Sequence, residues 1–196
     1  MLAEEELIRK VKEGDMHAFE QLFELYKTSA KRLAYMITGS IADSEDVVQE
    51  TFIQCYGKIR QLKELSLFQS WFYRILTRIA WKYCNHRKKV QPVDEFSESD
   101  IMEYTPLNSA SDQVLKNEEA KILYEAICNL DKKQRTVIIL YYYNDLSLKE
   151  ISLIMRCSEG TVKSRLYTAR KNLKLALKSR DYMEVEMFNN GRIKAI

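Results

Sequence analysis

Apolar side chains recur along this chain with the helical period of about 3.6 residues and few interruptions. Leu2–Glu13 reads as a short charged helix that stops at Gly14, and Asp15 stands where a second helix needs its N-cap. Phe19, Leu22, Phe23, Tyr26, Leu33, Tyr35 and Ile37 carry the second helix to Gly39. Asp43 is the expected cap of a third, Ser44–Lys58, whose apolar side is Val47, Val48, Thr51, Phe52 and Cys55. A fourth is expected over about Ser66–Lys89, burying Phe68, Phe72, Ile75, Leu76, Ile79 and Tyr83.

The period then lapses. Residues 91–115 hold both prolines, no lysine or arginine and six acidic residues, and read as an acidic, flexible linker. Such a strip is either a passive tether or an acidic strand that lies in a partner's basic channel in place of nucleic acid. Helical spacing resumes at Lys116: Glu119–Asn129 buries Ile122, Leu123, Ala126, Ile127 and Leu130. Asp131 caps the next helix, which packs Val137, Ile138, Leu140 and Tyr141 and ends near Asn144 and Asp145.

Two amphipathic helices follow across a tight turn. The first, Leu148–Met155, has Ser147 as N-cap and Glu150 in the capping-box position. The second starts at Ser158 and buries Val162, Leu166, Ala169, Leu173 and Leu177. This spacing describes a helix-turn-helix, whose second helix can enter a DNA major groove. The expected fold is all-α: two small helical domains, 1–90 and 116–178, joined by the linker 91–115, the second ending in the helix-turn-helix. Residues 179–196 carry little pattern and read as a tail.

Composition supports helices, because five glycines and two prolines in 196 residues are too few for a turn-rich sheet protein. The net charge of +3 is unevenly placed, with 15 basic against 12 acidic residues in 1–90 and 16 against 10 in 116–196. Two basic blocks around an acidic strip favour nucleic-acid contact over a neutral catalytic scaffold. The four cysteines are widely separated with no CxxC pair, and the two histidines lack a useful neighbour, so no metal site or disulfide framework is expected. No nucleophile–base pair or phosphate loop stands out, so neither catalysis nor a cofactor is expected. MLAEEELIRK lacks an apolar signal region, and no run of about 18 apolar residues exists. A soluble, cytoplasmic protein without stable membrane insertion is the expectation.

Three clusters invite binding. Glu45, Asp46, Gln49 and Glu50 share the outer side of the third helix, as a solvated surface or a docking face. On the fourth helix Trp71, Arg74, Arg78, Trp81 and Lys82 share one arc, with no acidic residue between Glu64 and Asp94. Aromatic groups among cations suit unstacked bases, each stacking contact contributing about 1–3 kcal/mol; the alternative makes the tryptophans edge-of-core residues under arginine stems. The last helix carries seven basic residues against one acidic between Ser158 and Arg180. Lys163, Ser164, Tyr167, Thr168, Lys171 and Lys174 lie opposite its buried stripe and can reach phosphates or base edges, unless the pair is an ordinary hairpin with a solvated basic face.

Five stretches, GDMHAFEQLFELY (14–26), ADSEDVVQETFIQCY (42–56), FQSWFYRILTRIAWKY (68–83), LDKKQRTVIILYYYNDLSLKEI (130–151) and EGTVKSRLYTARKNL (159–173), occur in this order. Together they resemble the extracytoplasmic-function (ECF) subfamily of sigma-70-type RNA polymerase sigma factors. The resemblance implies that Glu45, Asp46, Gln49 and Glu50 dock on the clamp of the core polymerase's largest subunit. It implies that Trp71, Arg74, Arg78 and Lys82, with the loop Leu62–Leu67, meet the −10 promoter element and capture an unstacked base. It puts Lys163, Ser164, Tyr167 and Thr168 near bases of the duplex −35 element, and Arg165, Arg170 and Lys171 nearer phosphates. The first helices of the second domain would engage the polymerase flap, and an anti-sigma factor would be a further partner. Two departures stand out: Arg156 replaces the glycine usual in the turn, at a cost of about 1 kcal/mol if its φ is positive, and KELSLF matches no known −10 base preference. The implied activity is non-catalytic promoter recognition; the rival reading is a stand-alone, dimeric helix-turn-helix regulator.

Overall fold

Asp15 ends one connection and starts a helix: its carboxylate accepts from the Ala18 amide at 3.1 Å, directly after Gly14, whose φ of 100° only glycine adopts without strain. In the computed structural model, which describes residues 2–87 and 122–178, helix α1 (Leu2–Glu13) leads through this junction into α2 (Met16–Thr38). Gly39, with φ 71°, closes α2 in the left-handed conformation and returns its amide to the Tyr35 carbonyl at 2.7 Å.

α3 (Ile41–Lys58) begins three residues before the expected Ser44, and Ser40 caps it, not Asp43. The Ser40 backbone is extended and its hydroxyl accepts from the Asp43 amide at 3.3 Å, which moves Asp43 into the first turn, where its charge suits the helix dipole. Two 3-10 turns, Ile59–Gln61 and Leu65–Leu67, precede α4 (Phe68–Arg87), so the fourth helix starts at Phe68, not Ser66.

By backbone proximity the described residues form two units, 2–87 with Lys149–Cys157, and 122–148 with 158–178; the sequence boundaries had put 149–157 in the second domain. In the first unit, α4 packs on both α2 and α3. The seam is aromatic: Phe72 lies 5.0 Å from Tyr26 and 5.1 Å from Phe52, and Phe68 lies 5.4 Å from Tyr26. Because α4 is covered on two sides, its buried arc is wider than expected. Tyr73, Thr77 and Ala80 join Phe68, Phe72, Leu76 and Ile79 inside, while Ile75 and Tyr83 are only half-buried. α1 buries Ile8 and Val11 and is fastened to α2 by a hydrogen bond from the Tyr26 hydroxyl to Glu4.

In the second unit, α5 (122–128) buries Leu123, Tyr124, Ala126 and Ile127, with Ile122 half-buried. Asp131 caps α6 (Lys132–Tyr142) as expected, accepting from the amides of Lys133 and Gln134. Arg135 holds the α5–α6 corner by donating to the carbonyls of Cys128 and Leu130. α6 buries Ile139 and Tyr142, whereas Tyr141, expected inside, is half-buried. α7 (Leu148–Met155), which from Lys149 onward groups with the first unit, comes next in the chain; α8 (Glu159–Lys178) belongs to the second unit and packs on α6. The expected stripe of α8 is buried in full: Val162, Leu166, Ala169, Leu173 and Leu177. The expected linker 91–115 and tail 179–196 lie outside the described residues.

Candidate nucleic-acid and docking faces

On α3 the inward positions Val47, Val48, Thr51, Phe52 and Cys55 are buried, which turns Glu45, Asp46 and Gln49 to solvent and leaves Glu50 half-buried. Glu45 pairs with Lys31 of α2 at 3.1 Å, and Glu50 accepts from the Gln54 amide at 3.1 Å. One and two turns beyond Gln49 stand Ile53, 65% exposed, and Tyr56, which stacks edge-on against Phe19 at 4.9 Å. Sequence reasoning missed this apolar end of the face, although spacings of four and seven residues from Gln49 carried the signal.

The arc expected on α4 is present. Arg78 and Lys82 are exposed, and Trp71, Arg74 and Trp81 are half-buried. Trp71 rests 5.9 Å from Phe68, so part of its ring closes the core and part remains open. Burial draws the Arg74 guanidinium below its ordinary value. The Tyr83 hydroxyl is pushed up by burial and by the carboxylates of Asp46, Glu50 and Asp43, which sets the acidic α3 face beside the end of the α4 arc. Before α4, Leu62 is buried and its carbonyl accepts from the Lys12 ammonium at 2.7 Å. The loop is thus anchored at Leu62 and presents Lys63, Glu64, Ser66 and Leu67 outward.

The turn between α7 and α8 is built by three residues. Arg156 has φ 49°, and the Cys157 amide returns to the Ser152 carbonyl at 3.1 Å, a Schellman-type close. Ser158 then caps α8, accepting from the Thr161 amide at 3.1 Å. The positive φ, only conditional in the sequence, is therefore present at Arg156, with an arginine bearing its cost.

Along α8, Lys163, Ser164, Tyr167, Lys171 and Lys174 are exposed, and Arg165 and Thr168 are half-buried. Tyr167 is 71% exposed, an unusual posture for a large aromatic ring in a structural role. The Thr168 hydroxyl donates to the Ser164 carbonyl at 3.0 Å. Arg170, which the resemblance puts nearer phosphates, turns its Nε to α6, where it donates to the Tyr142 hydroxyl at 2.6 Å. Among the described residues no cluster of three or more histidine, cysteine or acidic side chains could hold a metal ion, and no helix is long and apolar enough to cross a membrane.

The Sigma-70 region 2 family matches residues 22–90, and the Sigma-70, region 4 family matches residues 120–173. The chain is 32% identical to the ECF RNA polymerase sigma factor SigW of Bacillus subtilis over 87% of this chain and 95% of that protein. It is 30% identical to the ECF RNA polymerase sigma-E factor of Haemophilus influenzae over 87% of this chain and 93% of that one. Among solved structures, CnrH in complex with the cytosolic domain of CnrY shares the fold, with a TM-score of 0.70, 20% identity, and coverage of 90% of this chain and 98% of that one. The sigma factor RpoE in complex with the anti-sigma factor NepR from Bartonella quintana does so with a TM-score of 0.65, 24% identity, and coverage of 82% and 96%. Both sigma regions are thus present, in order, and the chain belongs to the ECF-type sigma-70 RNA polymerase sigma factors, non-enzymatic proteins that direct transcription initiation through promoter DNA.

Proposed function

We propose a division of labour among the three faces. Glu45, Asp46, Gln49 and Glu50 dock on the clamp of core RNA polymerase, with Ile53 and Tyr56 extending the same flank. Trp71, Arg74, Arg78 and Lys82 take the opened −10 strand, and Lys163, Ser164, Arg165, Tyr167, Thr168 and Lys171 read the duplex −35 element. The observation that carries this reading is the separation of chemistry on α8: the apolar stripe is wholly buried, while Lys163, Ser164, Tyr167 and Lys171 remain in solvent.

Strand opening needs no catalytic group in this scheme. Unstacking costs a few kcal/mol, and stacking on Trp71 with phosphate contacts from the cations offsets it. Domains 1–90 and 116–178, tethered by 91–115, gain from effective concentration, so each DNA contact can be weak alone. The tail 179–196 is assigned no part. The first helices of the second domain engage the polymerase flap. The chain works in the cytoplasm beside the polymerase, and an anti-sigma factor restrains it; the anti-sigma partner in the Bartonella quintana complex supports that expectation.

Run-off transcription with purified core polymerase tests the scheme. Addition of the chain is expected to start transcripts at a limited set of genomic promoters. Repression, or no change in initiation, would overturn it.

A further inference from the structure

We propose that Arg170 is a positioning residue for −35 reading: it fixes the rotation of α8 against α6 and makes no contact with the DNA backbone. The inference rests on α8 being the reading helix. The Arg170 Nε donates to the buried Tyr142 hydroxyl at 2.6 Å, and its guanidinium carbon lies 5.4 Å from the Tyr142 ring centre and 5.7 Å from that of Tyr141. Tyr141 and Tyr142 meet edge-on at 5.0 Å, so the guanidinium is held at a corner of two rings that constrain each other. Its Nε–H and its guanidinium face are both engaged on α6, while among the described residues the Nη groups carry no hydrogen bond that fixes them elsewhere.

The buried stripe of α8 cannot supply this constraint alone. Val162, Leu166, Ala169, Leu173 and Leu177 make non-directional contacts, which tolerate small rotations of a helix in its groove. A rotation of about 20° would carry side-chain tips about 2 Å, given a helix radius with side chains of about 5–6 Å. Base-edge hydrogen bonds do not survive such a shift. Arg170 stands three residues after Tyr167 and immediately before Lys171, at the border between the buried stripe and the exposed face. Pinning it to Tyr142 therefore sets where Lys163, Ser164 and Tyr167 point. Asn172, whose amide donates to Gln134 of α6 at 3.0 Å, adds a second directional tie on the other side of the stripe, but an exposed one.

The test uses holoenzyme assembled from core RNA polymerase and the full chain, with promoter fragments randomised over the −35 duplex. Bound fragments are sequenced, and affinity for the preferred fragment is followed against salt. Arg170→Lys keeps the charge but loses the Nε donor and the planar fork; Tyr142→Phe removes only the acceptor, from a buried position. Both are expected to flatten −35 preference by about tenfold, the scale of one charge-assisted hydrogen bond, with the salt slope unchanged. The double variant should be no worse than the more affected single one. A phosphate contact gives the opposite pattern: Arg170→Met lowers the salt slope by about one, Arg170→Lys behaves as wild type and Tyr142→Phe is silent. That pattern would overturn the proposal, as would variants that lose preference only in proportion to lost helical signal in circular dichroism. Failure of the wild-type holoenzyme to enrich any −35 sequence would instead overturn the reading-helix assignment, and the proposal with it.

Discussion

Glu50 of α3 and Lys82 of α4 face each other at 4.0 Å, each at the margin of its own cluster. The pair joins the acidic face to the cationic arc along one edge, and the Tyr83 hydroxyl, pushed up by burial and then by Asp46, Glu50 and Asp43, marks the same border. Both partners are accessible and the separation is long, so the pair contributes well under about 1 kcal/mol to stability. Its placement, with one partner in each face, matters more than its strength.

The docking assignment is therefore testable without unfolding the domain. Gln49→Ala combined with Glu50→Ala removes one exposed and one half-buried polar group and touches no buried apolar residue. Binding to core polymerase in a pull-down should fall by at least tenfold, while the melting temperature moves by no more than a few degrees. Undiminished capture of core by the double variant would remove this face from the interface.

Trp71 is half in the core and half open, so its two roles separate by assay. Trp71→Ala forfeits some packing on Phe68, and with it the platform for an unstacked base, a contact of about 1–3 kcal/mol. Permanganate reactivity of −10 thymines should drop by about tenfold or more, with closed-complex formation on the same promoter changed by less than about threefold. Equal losses in both steps would make Trp71 a structural residue only.

How legible all this was in the sequence varied with the kind of signal. Periodicity located the buried stripe of α8 residue for residue, because a helix packed on one side obeys a single amphipathic period. On α4 the same reasoning missed Tyr73, Thr77 and Ala80, because a helix covered by two neighbours buries a wider arc than one period marks. Asp43 outcompeted Ser40 as a cap on paper, since both residue types cap; the left-handed Gly39 and extended Ser40 backbone decided otherwise. The charged members of the faces were visible as clusters, whereas Ile53 and Tyr56 read as ordinary apolar residues until their exposure was seen. Arg170 resembled every other cation on its helix. Only the position of Tyr142, 28 residues earlier, reveals where it points.

Arg156 bears a backbone conformation that glycine adopts freely. Its φ of 49° costs about 1–2 kcal/mol for a side-chain-bearing residue, and glycine returns about 0.5–1 of this through its more flexible unfolded chain. Arg156→Gly should accordingly raise stability by about 0.5–1 kcal/mol, read as a higher urea midpoint with unchanged slope. A lower midpoint would mean that the arginine side chain contributes more than the strain removes.

Cys55 lies at 0% exposure among the inward residues of α3, and burial pushes its thiol up from an ordinary 9.0 to about 12. The unfolded thiol ionises first, so the associated stability is intact below about pH 9 and is lost progressively as pH rises to about 12. Iodoacetamide at pH 9 should leave Cys55 unmodified in the native chain and label it in urea, as peptide mass spectrometry would reveal. Native labelling at the denatured rate would contradict this burial.

On α8 the exposed residues are expected to separate into two behaviours. Lys163 and Tyr167 share a flank of the helix one turn apart, and both are free to enter a groove. Replacing either by alanine should change which −35 bases are enriched, at about 1–3 kcal/mol per base pair lost. Lys171 sits one further turn along, where a helix entering by its N-terminal end passes the backbone. Lys171→Ala should leave the preferred sequence intact, weaken all duplexes alike and reduce the salt slope by about one. Selection profiles and salt titrations on the same three holoenzymes distinguish these outcomes. If Lys171→Ala rewrites the preferred sequence while Lys163→Ala only flattens the salt dependence, the helix enters the groove in a different orientation from the one its exposed face implies.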